Sequence, residues 1–173
     1  MRSQFLRILD YIDGAPNVQA DLPNGGPIIA DPTISQVALL TIPAQRQLTN
    51  LAFNPPGYVD HVQLHLNGVV NAPDATQQMR NLAVQIIESL NNAKTWLQQV
   101  RADVKQLLPL DATQLAQPSS LSLLNDMLTN ATYAYIGKLD PQTNSVTSGV
   151  LQAHYAIQQL ATLTITPKIP QNI

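Results

Sequence analysis

Apolar residues recur at alternating spacings of four and three between Met79 and Leu107. This spacing keeps them on one side of a helix for four heptads, and Pro109 cannot continue the helix. The pattern predicts a long helix over residues 75–108, about 50 Å long. Its start resembles an Asp form of the capping box, with Asp74 as the cap. The matching positions are Met79, Ala83, Ile86, Leu90, Ala93, Leu97, Val100, Val104 and Leu107.

Three shorter segments on either side of the long helix also carry apolar stripes at helical spacing, so residues 57–163 are predicted to be a helical bundle. The same four letters that begin the long helix recur at Asp111-Ala112-Thr113-Gln114, and we interpret both copies as helix caps. The first stripe consists of Val59, Val62, Leu66 and Val69. The second helix, capped by Ser119 or Ser120 and ended by Gly137, carries Leu121, Leu124, Leu128, Ala131 and Tyr135. The third helix, capped by Ser145 or Thr147, carries Val146, Val150, Ala153, Ile157, Leu160 and Ala161.

Amphipathic helices cannot bury their stripes separately, so they must pack together. The predicted fold is therefore all-α, a four-helix-type antiparallel bundle built around the long helix 75–108. The whole chain, residues 1–173, is expected to form a single helical domain.

The remaining segments are assigned by local pattern. Residues 1–13 form a predicted N-terminal helix, because Phe5, Ile8, Leu9 and Ile12 share one face. Residues 14–56 hold seven of the 13 prolines and are expected to wrap over the bundle. The sequence pattern also permits a minor two-strand patch beside the bundle, in which 37–42 pairs with 162–166. Residues 164–173 are assigned as a tail.

Charge and composition exclude several classes of function. Nine Lys and Arg against 11 Asp and Glu leave no basic surplus for nucleic-acid binding. No apolar run approaches the roughly 20 residues of a transmembrane helix, and the first residues are too polar for a signal peptide. There is no cysteine and only one Glu, Glu88, which removes thiolate chemistry and carboxylate di-metal bundles.

No catalytic or nucleotide-binding motif is present: the Gly-x-Ser-x-Gly elbow, the P-loop and the Gly-x-Gly-x-x-Gly pattern are all absent. We therefore expect a protein that is not an enzyme and has no cofactor. The polar residues are instead rich in amides, with 19 Gln and 13 Asn against four Lys. This composition, together with the lack of cysteine, favours an exported or cell-envelope protein, although a cytoplasmic location remains compatible with it.

The three histidines give the only candidate site. His61 and His65 are spaced i, i+4 on one helix, which is the geometry of a helical metal site. If His154 on the last helix joined them, with Asp60 or water as a fourth ligand, the group would suit copper, zinc or nickel. The alternative is that these histidines lie at the rim of the apolar stripes and bind nothing.

The tyrosines suggest a surface for partners. Tyr133 and Tyr155 fall off their helical stripes, and exposed tyrosines are enriched where proteins bind one another. Tyr135 is expected in the core. The function predicted from the sequence is thus a binding or scaffolding domain for a protein partner or a second copy, and the alternative is a metal-binding bundle that uses His61, His65 and His154 with one transition-metal ion.

Overall fold

The computed structural model describes residues 2–15, 17–18, 37–41 and 56–162. Within these ranges the chain is mostly helical, so the predicted all-α fold around a long helix is confirmed. Most of the wrapping segment 14–56 and all of the tail 164–173 lie outside the described residues. The elements are α1 Arg2–Asp13, α2 Tyr58–Asn71, α3 Gln77–Leu107, α4 Ala112–Leu115, α5 Pro118–Ile136, β1 Lys138–Leu139, β2 Val146–Thr147 and α6 Val150–Ala161.

The long helix α3 is the common partner of the other helices. Helices α1, α2, α5 and α6 all pack against it, and α6 also contacts α5. All nine positions of its predicted apolar stripe are buried or half-buried, which confirms the stripe. Ser89 and Asp103 are buried as well, at the edge of the same stripe. Its buried positions spread over roughly 160° of the helix circumference, wide enough to hold several neighbours.

The N-terminal helix α1 docks on α3 through an apolar face and one ion pair. Its buried residues include Phe5, Leu6, Leu9 and Ile12. At its last turn, Asp13 has no exposed side-chain area and accepts a hydrogen bond from Arg101 Nε, 2.7 Å away. A buried carboxylate needs such a partner, because its desolvation is otherwise costly.

Residues 37–41 join the end of α1 to the start of α2 through their backbone. The N–H groups of Leu39 and Leu40 donate to the carbonyls of Tyr11 and Ile12 at 3.1 and 3.0 Å. In the other direction, the carbonyls of Ala38 and Leu39 accept from the first N–H groups of α2 at 2.9 and 3.1 Å. Helix ends leave such groups unsatisfied. This segment therefore supplies a backbone cap to both helices.

The strand predicted at 37–42 is wrong over its described part. Residues 37–41 form bends, because their backbone groups are used by the ends of α1 and α2. Of the predicted partner strand 162–166, Thr162 lies in the turn after α6 and the rest is outside the described residues. The sheet that the structure does describe is a hairpin, with Lys138 opposite Thr147 and Leu139 opposite Val146.

Two helix caps show how local sequence fixes a helix start. The Asp111 carboxylate accepts from Gln114 N–H at 2.8 Å while Gln114 Oε1 accepts from Asp111 N–H at 3.0 Å, so the predicted cap is a complete capping box. The cap of α3 is Thr76 rather than Asp74, since the Thr76 hydroxyl accepts from Met79 N–H at 3.2 Å.

The later helices also begin away from their predicted caps. Helix α5 starts at Pro118, whose fixed φ and missing N–H suit a first helical turn, and neither Ser119 nor Ser120 caps it. Ser120 is buried instead, and its hydroxyl donates to the Gln114 carbonyl at 2.8 Å. Helix α6 begins after Gly149, because residues 146 and 147, where its start was predicted, form β2.

Helices α5 and α6 are rotated relative to the prediction. The inward side of α5 carries Ser120 and Ala134, whereas the predicted stripe residues Leu121, Leu128 and Tyr135 are exposed. At 100° per residue the difference is a rotation of roughly 80°. Helix α6 buries two alanines, Ala153 and Ala156. Its larger predicted stripe residues Val150 and Ile157 are exposed.

The turn of the hairpin is ordered around one aspartate. The Asp140 carboxylate accepts from Gln142 N–H and from the Thr143 hydroxyl, both at 2.8 Å. These bonds, the one from Gln142 first, hold the pKa of Asp140 below its ordinary value. The hairpin brings the start of α6 directly against the end of α5. No helix among the described residues has both the length and the hydropathy needed to cross a bilayer.

The contact between α5 and α6 depends on Gly149. A Cβ at this position would lie 2.7 Å from the Tyr133 carbonyl oxygen and 2.8 Å from the Ala134 carbonyl oxygen. Both are backbone atoms, which cannot swing aside as a flexible side chain does. We therefore expect Gly149→Ala to lower the free energy of unfolding by about 2 kcal/mol, the scale of overpacking, as measured by urea unfolding followed by circular dichroism.

The matched control is Gly68→Ala within α2, where a Cβ would meet no atom within 4 Å. Alanine is the better helix former, so this variant is expected to gain about 0.5–1 kcal/mol. A Gly149→Ala protein as stable as the wild type would contradict the close packing of α5 on α6.

Candidate functional site

The structure brings His61 and His65 together on the exposed side of α2. Their Nε2 atoms are 2.8 Å apart, and their rings stack with centroids 4.8 Å apart and planes inclined by 29°. Residues i and i+4 are neighbours on a helix surface, so the contact follows from the spacing. In this arrangement one ring donates Nε2–H to the lone pair of the other.

His154 and Asp60 do not join this pair. His154 lies on α6 beside the ring of Tyr155, 5.9 Å between centroids. Helices α2 and α6 are each held by α3. Asp60 forms an ion pair with Lys94 of α3. Within residues 2–15, 17–18, 37–41 and 56–162, no group of three or more His, Asp or Glu side chains is placed to hold a metal ion. The predicted three-histidine group is therefore not assembled.

A second candidate site is an apolar groove of about 310 Å³ between α1, α3 and α5. Its walls come from one turn each of α1, α3 and α5, together with Leu39 of the backbone segment 37–41. Among the described residues that line it, only Tyr11 has a polar side-chain group. The lining consists of Ile8, Tyr11, Ile12, Leu39, Leu97, Val100, Met127, Leu128 and Ala131.

The sequence pattern contained the groove residues but assigned them differently. Ile8, Leu97 and Val100 were placed on apolar stripes and expected to be covered by neighbouring helices. In the structure α5 lines the groove with Met127, Leu128 and Ala131, and Leu128 is exposed rather than covered by a neighbouring helix. The one sequence signal for the groove is that α5 has more large apolar residues than a single buried stripe needs. This signal does not indicate where the groove lies.

An apolar row on α5 continues from the groove. Leu121, Leu128 and Tyr135 are spaced by seven residues and are 58%, 66% and 61% exposed. This α5 row spans about 21 Å at 1.5 Å per residue. A repeat of seven is typical of a seam between two helices. Asp126 is the only charged residue of α5, so the row offers packing with little electrostatic guidance.

The burial of the tyrosine side chains differs from the prediction at two of the three positions. Tyr133, predicted to be off the stripe, is half-buried, with its ring 5.9 Å from that of Trp96 and Lys138 Nζ 5.6 Å from its centroid. Tyr135, expected in the core, is exposed in the α5 row. Tyr155 is exposed as predicted.

A buried carboxyl group, Asp103, lies on α3 one turn beyond the groove residue Val100. It is 1% exposed, and its Oδ1 accepts from Gln99 Nε2 at 2.8 Å. Its Oδ2 has no hydrogen-bond partner among the described residues. Burial raises the pKa of Asp103 above its ordinary value, and the charge of Asp126 adds to the rise, while the bond from Gln99 opposes it.

No protein-family model, curated protein or solved structure matches this chain.

The raised pKa of Asp103 predicts a pH-dependent stability. An acid whose pKa is higher in the folded than in the unfolded state favours folding when protonated, so its ionised form weakens the fold at neutral pH. We expect Asp103→Asn to raise the free energy of unfolding at pH 7, by a gain on the order of 1 kcal/mol. The gain should shrink as the pH falls through the raised pKa. Urea unfolding between pH 7 and 4 measures both effects.

Asp126→Asn is the control, because it removes only the smaller contribution from a neighbouring charge. It should shift stability in the same direction by less. If Asp103→Asn were less stable than the wild type at pH 7, the carboxylate would be favourably solvated or paired, contrary to the structure.

Proposed function

We propose that the protein is a non-enzymatic binding domain that holds a helical segment of a partner protein against α5. The apolar groove receives a bulky anchor side chain of that segment, and the α5 row packs along the rest of it. The observation that carries this proposal is the groove itself, an open apolar recess whose lining continues into an exposed heptad row through Leu128.

The size of the groove supports an anchor residue. A cavity of roughly 150 Å³ is enough for benzene, and this groove has about 310 Å³. It is thus large enough for an indole or phenyl side chain together with a neighbouring aliphatic one. Because its walls take only one turn from each of three helices, it is too short for a whole helix. Buried aromatic anchors in such pockets dominate the energy of many protein interfaces.

The chemistry of the groove supports binding rather than catalysis. Apart from the Tyr11 hydroxyl, the lining residues that the structure describes bring no acid, base or nucleophile. The α5 row then supports a helical ligand, since rows of large apolar residues receive amphipathic helices in groove-type recognition. A length of about 21 Å corresponds to roughly four turns of partner helix.

We also propose that the protein acts outside the cytoplasm, in the cell envelope or beyond it. The support is compositional: there is no cysteine, and 32 Gln and Asn stand against four Lys and one Glu. A chain without thiols folds equally well in an oxidising compartment. Fractionation of cells that express the native gene tests the location, and a protein confined to the cytoplasmic fraction would contradict it.

Filling the groove should weaken the binding of a helical partner. Ala131→Trp places an indole at the groove lining, and we expect it to reduce the affinity for a helical peptide at least tenfold by occupying the anchor site. The peptide is selected from a displayed library of amphipathic helices against the wild-type domain, and fluorescence polarisation measures its affinity. Selected peptides should share one Trp, Phe or Leu at a fixed position.

Thr129→Trp is the matched control, because it adds the same side chain at an exposed position on the opposite side of α5. It should leave the affinity unchanged. Equal weakening by both variants, or selected peptides without a common apolar anchor, would refute the groove as the binding site. Sedimentation of the wild type at rising concentration adds one further check. Self-association that Ala131→Trp abolishes would replace the heterologous partner by a second copy of this chain.

A further inference from the structure

The histidine pair of α2 has the geometry of a two-nitrogen metal chelate. If the Nε2 atoms of His61 and His65 each bound one ion at about 2.1 Å, their separation of 2.8 Å would set an N–metal–N angle of about 84°. Adjacent ligands in square-planar or octahedral coordination need 90°, which corresponds to about 3.0 Å between nitrogens. Tetrahedral coordination needs about 3.4 Å. The separation of the two nitrogens is therefore closer to that of a square-planar or octahedral ion than to that of a tetrahedral one.

The surroundings of the pair permit an ion to enter. Both histidines are exposed, on the side of α2 away from its buried residues Val59 and Leu66. Helix α2 is attached to α3 by two polar contacts. Gln63 Nε2 donates to Asn91 Oδ1 of α3 at 2.8 Å, and Asp60 is paired with Lys94 of α3. Two imidazoles on such a fixed helix face lose little freedom when they bind one ion.

We propose that His61 and His65 form a surface site for one divalent transition-metal ion, with copper(II) as the best fit. Imidazole nitrogens suit copper, zinc and nickel, and copper(II) combines the highest affinity in the divalent series with a preference for tetragonal geometry. To bind the ion, the ring that donates Nε2–H shifts to its Nδ1–H tautomer, so that both Nε2 lone pairs face the ion, and water completes the coordination. The site is independent of the groove, which lies on α1, α3 and α5.

The experiment titrates copper(II) into the full chain, purified without a histidine tag, in a buffer that does not bind metal. Isothermal titration calorimetry should give one site per chain, and the electron paramagnetic resonance spectrum should show splitting from two equivalent nitrogens. His61→Gln and His65→Gln should each weaken binding by roughly 100-fold, since each leaves a single imidazole without the chelate gain.

The decisive comparison is among variants. Because the one imidazole left in each single variant still binds copper(II) as a monodentate ligand, the double variant His61→Gln/His65→Gln should bind more weakly than either single variant. His154→Gln is the control and should bind copper(II) as the wild type does. Circular dichroism confirms that these exposed substitutions leave the helix content intact.

Two results would overturn the proposal. Equal loss of affinity in His154→Gln and in His61→Gln would place the ion elsewhere or spread it over all imidazoles. Wild-type copper(II) affinity in the double variant would show that the amino terminus or other groups bind the ion.

Discussion

The described structure depends on the width of the buried surface of α3. A helix with a narrow apolar seam holds one partner, whereas α3 buries residues over nearly half its circumference and so contacts α1, α2, α5 and α6. The buried and half-buried apolar side chains of these helices and of α3 form one hydrophobic cluster, to which α3 contributes more residues than any other helix described. The positions of the other helices, and with them the groove and the histidine pair, are therefore set by where they meet α3.

The sequence predicted what a single strong period determines. All nine heptad residues of α3 face inward, the capping box at Asp111 formed as expected, and α1 ends before Gly14. The prediction of the buried side was wrong where a helix carries large apolar residues on more than one side. Helix α5 carries Leu121, Leu124, Leu128 and Tyr135 on one side and Leu123, Met127 and Ala134 nearby, so periodicity alone did not decide which side packs. Helix α6 buries its smallest residues, since Gly149 and the hairpin bring it close to α5.

The candidate sites also differ in whether local spacing or the arrangement of helices determines them. Contact between His61 and His65 is local to one helix and was predictable from spacing. The placement of His154 depends on how α2 and α6 are arranged around α3, which the sequence does not encode in any local pattern. The groove is the least predictable feature, because it exists only through the rotation of α5 and through Leu39, whose position depends on backbone hydrogen bonds that any residue can make.

The attachment of α1 has a consequence for the order in which the molecule assembles. Helices α2 to α6 are close neighbours along the chain, so most of their contacts close short loops, whereas the Arg101–Asp13 pair joins residues 88 positions apart. Contacts across long stretches carry a larger entropy cost and tend to form later. Helix α1, which forms one side of the groove, is thus expected to dock on α3 last during folding. It is also expected to detach first, through local unfolding that leaves the other helices folded. Access to the groove would then be governed by the rate at which one terminal helix leaves and returns.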